Sequence, residues 1–256
     1  MKQNLAVKNQ LAERLSSALG KDEFLLFSQA IIALAQDDKR PFQEVLIRFQ
    51  EEETKLLPPG TFLPLVEEHG LMPFLDRWVI NRLTKWIGVA RSVKPDWKIP
   101  RNGINLSPQS LHIQGFVEFT KKHVEAGRLP PETFCFELIW EDAVEHAEAL
   151  MRVMAALKPI GCRFTIARFD GVPGSFDLLK MLAPDFVKIS PRVVLALDSD
   201  RPDRAVAAEA IHRECTALNI RTIAEYVETK RVLAELRRIG VHHAQGFVIQ
   251  PPQALT

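Results

Sequence analysis

From residue 103 to the end of the chain, short apolar segments alternate with longer stretches whose apolar residues recur at helical spacing. The segments are GINLS (103–107), FCFELIW (134–140), RFTIARF (163–169), DFVKIS (185–190), RTIAEYV (221–227) and AQGFVI (244–249). Strands separated by helices form parallel βα units, because a parallel neighbour is reached only through a long crossover. Two more strand-like runs, 23–34 and 42–50, come first, and QDDKR between them reads as a hairpin turn. Residues 58–70 and 75–90 read as helices, the first begun by proline and closed by Gly70. Eight strands in 256 residues predict an α/β fold, a TIM-type (β/α)8 barrel. An open doubly wound sheet would want a glycine-rich phosphate loop after its first strand, and none is present. Residues 4–19 carry apolar residues at helical spacing before Gly20. They are expected to be a surface helix or a linker from an upstream domain, giving residues 1–19 as a linker helix and 20–256 as the barrel domain.

Composition narrows the function classes. Nearly half the chain is hydrophobic (46%), enough for a large core, and the formal net charge of +1 offers no bulk attraction for nucleic acid or a membrane surface. The three cysteines, Cys135, Cys162 and Cys215, form no closely spaced pair, which argues for a reducing compartment without disulfides or a zinc site. No apolar run reaches the roughly 18 residues of a membrane span, and the start is amphipathic rather than a signal peptide. The expectation is a soluble cytoplasmic domain, any membrane part lying elsewhere in a longer parent.

In such a barrel the chemistry sits at the carboxyl ends of the strands. There the sequence places Glu44 and Arg48, Asn105, Glu137, Lys188, Glu225 and Glu228, and Gln245. Acids and lysines inside apolar strands need partners. Ion pairs closing the barrel mouth are one reading; oxygen ligands for a hard cation such as Mg²⁺, from Glu44, Asn105 and Glu137, are another. His242 and His243 are expected in a solvated turn, His69 at a helix end and Cys162 in the core.

Taken in order, these segments resemble the EAL domain, the barrel family that hydrolyses the bacterial messenger cyclic di-GMP, over about residues 20–252. EVLIRF resembles its EALLRW-type motif and GINLSPQSL its NLS segment. FELIWE resembles ELTE, DFVKIS the DxxKID segment, TIAEYVET the AEGVET segment and AQGFVIQPP the QGYLFSRP segment. The resemblance implies ligand contacts by Gln29, Leu46, Arg48 (at a phosphate), Glu228 and Pro252 (near a guanine). It implies a catalytic set of which Glu44, Asn105, Glu137, Lys188, Glu225 and Gln245 remain.

The departures bear on activity. The family's DDFGTG loop gives two adjacent aspartates to a pair of metal ions; here ARFDGV places Ala167 and Arg168 there. Trp140 replaces the second glutamate of ELTE, with Glu141 beside it; Ser190 ends the KID segment; Ala30 and Pro251 replace a proline and a basic residue; Tyr226 replaces a glycine. Two-metal hydrolysis needs carboxylates between the ions, and an arginine there is always a cation. Asp170, later on the loop, is the only nearby substitute. A single weak site of Glu44, Asn105 and Glu137 stays open. Arg168 has two readings: a ligand-binding cation that also neutralises Glu44 or Glu137 in place of a metal, or a solvated remnant.

The resemblance therefore implies a receptor that binds cyclic di-GMP without a required cofactor. Two alternatives are a phosphodiesterase using Mg²⁺ or Mn²⁺ and a protein-interaction domain independent of nucleotide. The implied partners are cyclic di-GMP and other signalling domains, an upstream domain of the same chain included, with a homodimer as an open arrangement.

Overall fold

The computed structural model describes residues 14–15, 17–21, 23–35, 38–52, 55–200 and 203–255. Strand β1 (Phe24–Ala33) pairs antiparallel with β2 (Phe42–Glu52), in register from Phe24 opposite Phe49 to Ile31 opposite Phe42. A short β3 (Lys55–Leu57) extends the outer end of β2. Parallel pairings then run from β2 through β4 (Arg101–Asn105), β5 (Phe134–Ile139), β6 (Arg163–Phe169), β7 (Phe186–Ile189) and β8 (Arg221–Ala224) to β9 (His243–Gln245). Strand β9 pairs antiparallel with β1 and closes an eight-stranded barrel; β10 (Gln253–Ala254) flanks β1 outside the ring.

The sequence-predicted barrel is thus present, with one strand reversed. Strand β1 runs against both neighbours because the link to β2 is too short for a crossover. Residues 36–37 of the expected turn lie outside the described residues. Several strands stop earlier than their apolar runs. The run at 134–140 ends at Ile139, and Trp140 opens helix α4 (Trp140–Glu145). The run at 221–227 ends at Ala224. His243, expected in a turn, is a buried residue of β9, its Nε2 3.2 Å from Asp38. Cys162 is buried as expected.

Period-two alternation sets the barrel interior in layers. Ile31, Phe42, Cys135, Phe186 and Ile223 form one buried apolar cluster. Two residues further toward the mouth stand Gln29, Glu44, Glu137 and Lys188 on the same strands, and Glu225 just past the end of β8. Below the cluster, the Arg101 guanidinium lies 5.0 Å from the rings of both Phe42 and Phe186 and pairs with Asp38 (3.0 Å) and Glu132 (2.6 Å). One end of the barrel is closed by matched charges over aromatic rings; the other is left to the site.

The segment expected as a linker lies mostly outside the described residues. At its described end, Leu15 and Ala18 are buried with Phe24, Phe49 and Phe62, and with Leu75 of helix α2 (Met72–Val93). Leu15 is 1% exposed, so Leu15→Ala should destabilise the barrel by about 2–4 kcal/mol through lost burial and a residual cavity. Urea unfolding of the two proteins measures this; an unchanged midpoint would show that the segment only rests on the surface.

Candidate functional site

Lys188 is the centre of the mouth. Its side chain is 1% exposed, and its Nζ lies 2.7 Å from Glu44 Oε2, 2.7 Å from Glu137 Oε2 and 3.4 Å from Glu225 Oε1. Glu44 is held on its other sides by Asn105 Nδ2, donating to Oε1 at 2.9 Å, and by Gln245 Nε2, donating to Oε2 at 2.7 Å. Gln245 also donates to Gln29 Oε1 (3.1 Å), and Gln29 donates to the Gln250 carbonyl (3.0 Å). Seven of the sequence-predicted residues therefore meet in one network. Asn105 is held from behind: the segment after β4 folds Ser107 and Ser110 around the buried Asp76 of α2, which accepts three hydrogen bonds from them.

Burial pushes Glu44 toward the neutral form, but the Lys188 charge and the bonds from Lys188, Asn105 and Gln245 outweigh it, leaving Glu44 a stronger acid than usual. Glu137 goes the other way. Burial dominates, the Lys188 charge opposes it, and repulsion from Glu44 and Glu225 adds to it, raising its pKa to about 8. Glu225 is also raised, by burial first. Burial disfavours the Lys188 ammonium, but Glu137, Glu44 and Glu225 more than offset that and hold it charged.

Above this network opens a cavity of about 490 Å³, within the usual range for small-molecule sites. Besides network residues, its lining includes Leu46, Ala167, Arg168, Tyr226, Glu228 and Phe247. Strand β6 carries a bulge where it passes β7: Ile166 pairs with Val187 and Phe169 with Ile189, so Ala167 and Arg168 together oppose Lys188. Arg168 takes φ 57° there, and its exposed side chain reaches the mouth rather than the acids. The reading in which Arg168 neutralises Glu44 or Glu137 is therefore corrected. Lys188 holds that place, and the Arg168 charge acts on Glu225.

Other expected residues fall outside the lining. Arg48 stands two residue pairs outward from Leu46 on β2, its guanidinium 5.3 Å from the Phe27 ring. Pro252 is half-buried beyond the cavity. Asp170 pairs with Arg192 at 2.9 Å, away from the acids. Trp140 and Glu141 belong to α4, so strand alternation does not place them; Trp140 packs edge-on against Phe169, and Glu141 is exposed.

Tyr226 and Phe247, both more than half exposed at the mouth, were not foreseen as lining residues. Gly246 brings them together: a Cβ there would stand 2.1 Å from the Val227 carbonyl oxygen, so only glycine allows the two segments to touch. Val227 N–H donates to the Gln245 carbonyl (3.0 Å), and Val248 N–H to the Val227 carbonyl (3.2 Å). The glycine of AQGF was the available signal.

A family model described as the EAL domain matches residues 12–252. The chain belongs to the EAL domain family. It is 32% identical over 244 residues to cyclic di-GMP phosphodiesterase PdeB of Shewanella oneidensis, covering 95% of this chain and 28% of that protein. It thus spans well under half the length of the curated relatives it matches. Among solved structures, the EAL domain of FimX from Pseudomonas aeruginosa bound to c-di-GMP superposes with TM-score 0.86 at 28% identity, over 94% of this chain and 96% of that one. PaMucR phosphodiesterase in its c-di-GMP complex gives TM-score 0.83 at 26% identity, over 95% and 97%.

Family phosphodiesterases work with Mg²⁺ or Mn²⁺, so the fit of these ions matters. Carboxylate oxygens of Glu44, Glu137 and Glu225 lie within 4.8 Å of one another, an all-oxygen set suited to one hard cation with Asn105 at its edge. For a second ion, the bulge offers a methyl group at Ala167 and a cation at Arg168. Among the described residues, no further carboxylate lies within that distance of the three, although Glu228 also lines the cavity. The EAL domain here fits one ion, with the Lys188 ammonium already among its ligands, and does not fit a pair.

The raised pKa of Glu137 has a pH consequence. Between its unfolded value near 4.5 and about 8, the native state keeps a proton that the unfolded chain releases, so stability falls as pH rises through that window. Compared with Glu137→Gln, in which other titrations largely cancel, the wild-type protein should lose on the order of 1 kcal/mol per pH unit between pH 5.5 and 7.5. Denaturant unfolding across that range measures it. A pH-independent difference would mean that Glu137 is ionised throughout.

Proposed function

We propose that this EAL domain binds cyclic di-GMP as a signalling receptor and does not hydrolyse it. The observation that carries the reading is the β6 bulge, which sets Ala167 and Arg168 at the mouth where paired-metal chemistry needs carboxylates. A hydroxide nucleophile between two ions then has no second ion to form on.

The binding surface favours the same ligand. Leu46 lines the cavity, and Arg48 stands two residue pairs outward on the same face of β2, where a guanidinium fork suits a phosphodiester. Tyr226 and Phe247 offer ring faces at the mouth for a purine base. Arg168 adds positive charge on the opposite side. The ligand carries two negative charges, and a protonated Glu137 reduces the repulsion from the acids beneath it. The FimX domain, named as bound to c-di-GMP, and the PaMucR complex supply the likeness on which the choice of ligand rests. The phosphodiesterase reading keeps one observation in its favour, the three carboxylates that fit a single ion.

Calorimetric titration with cyclic di-GMP should give binding that survives EDTA. Arg48→Ala should weaken it roughly 10- to 150-fold, the effect of a charge-assisted hydrogen bond of about 1.5–3 kcal/mol. Chromatography should show no linear pGpG formed with Mg²⁺ or Mn²⁺ at stoichiometric protein. Turnover on the order of 1 s⁻¹ or faster would return the chain to the phosphodiesterases. Absence of both heat and a melting shift at high micromolar ligand would leave the interaction domain.

A further inference from the structure

A second cluster of metal-ligating side chains lies on the rim of the same barrel end, outside the cavity. His112 ends a single 3₁₀ turn (Pro108–His112) in the segment after β4, and His146 stands where α4 meets helix α5 (Ala147–Leu157) after β5. His112 Nε2 lies 3.2 Å from His146 Nδ1, with the rings inclined at 74°. Two nitrogens bound to one tetrahedral ion at 2.0–2.1 Å stand about 3.3–3.4 Å apart. The pair is therefore already spaced as two ligands of one ion. One of the facing nitrogens now carries the proton of the contact, and a change of tautomer in that ring presents both lone pairs without loss of a proton.

The surroundings supply oxygen and negative charge. Asp142 is four residues before His146 on α4 and interacts with its charge. Glu67, Glu141 and Glu145 crowd Asp142; burial and their repulsion raise its pKa, and only His146 opposes them. Gln109 sits three residues before His112, and in a 3₁₀ turn that spacing puts both side chains on one face. It donates to Glu67 Oε1 at 3.2 Å, while its own Oε1 is buried without a hydrogen-bond partner among the described residues. The two imidazoles are in contact, with the Gln109–Glu67 pair and the Asp142 carboxylate around them.

We propose that His112 and His146 bind a borderline divalent d-block ion, Zn²⁺ being the best match, with water completing the shell and Asp142 adding negative charge nearby. Imidazole ligands suit Zn²⁺ and its neighbours and do not suit Mg²⁺. This separates the rim site from the all-oxygen cluster around Lys188. A bound ion joins the segment that follows Asn105 to the helix that follows Glu137. The inference does not depend on whether cyclic di-GMP is bound or cleaved.

The test titrates Zn²⁺ into the metal-stripped full chain against a chromogenic chelator at pH 7.5, with Mg²⁺ in excess. The expected result is one equivalent bound and a visible ligand-field band of tetrahedral type when Co²⁺ replaces Zn²⁺. Affinity should fall at least tenfold in His112→Ala and in His146→Ala but not in His69→Ala, whose ring caps a different helix. Circular dichroism confirms that each variant is folded. Full retention of the ion by the double variant His112→Ala/His146→Ala would place it elsewhere and overturn the proposal. So would no binding by wild-type protein at about 100 µM Zn²⁺, an affinity too weak to count as a site.

Discussion

One ammonium inside the barrel holds three carboxylates. Lys188 lies within 3.4 Å of Glu44, Glu137 and Glu225, with almost no solvent to share the load. If every group were ionised, the cluster would carry two uncompensated negative charges in a low-dielectric interior, at a cost far above a hydrogen bond. Two responses are open to the fold. A proton is retained on Glu137, the acid that burial and repulsion from Glu44 and Glu225 push up, or another cation approaches. Glu44, with Asn105, Gln245 and Lys188 all donating to it, is the acid that stays ionised.

The architecture of the mouth serves this charge problem. The bulge in β6 turns Arg168 outward, where it acts on Glu225 from the solvent side rather than entering the cluster. Tyr226 takes φ 55°, a left-handed conformation costing a side-chain-bearing residue about 1–2 kcal/mol. The pairing of Val227 with the Gln245 and Val248 backbone, made possible by Gly246, holds it there. Of the six side-chain-bearing residues with positive φ among the described residues, Arg168 and Tyr226 line the cavity. Strain kept at two adjoining positions of a concave surface is more readily tied to what the surface contacts than to folding.

The barrel was legible because its signals are local and periodic. The hairpin of β1 and β2, the parallel units after residue 103 and the inward set Glu44, Glu137, Lys188 and Glu225 all follow from alternation. What escaped depended on events that break a period. Trp140 and Tyr226 sit just beyond a strand end, and Arg168 sits in a bulge; at each, the two-residue rule no longer gives the direction of a side chain. His243 read as a turn because nothing local shows that Asp38, 205 residues earlier, waits beside it. The apposition of His112 and His146 has no sequence signature, since 34 residues separate them. Lys188 was foreseen at the mouth, but its role as the common partner of three acids is a property of closure.

That role limits what the acids can mean. Glu44, Glu137 and Glu225 resemble the metal-binding remainder of a hydrolase, yet each is also required as it stands. Removing one partner of a buried pair costs about 3–5 kcal/mol, because the other charge is left without compensation. Lys188 would be exposed to that penalty by loss of its acids, and Glu44 by loss of Lys188. The cluster is therefore interlocked by electrostatics, and its presence follows from stability whether or not a metal ever enters. Ala167 and Arg168 are not partners of Lys188, and an aspartate pair there would add to the negative excess around it. Function is better read from the residues that Lys188 does not bind than from the acids that it cannot do without.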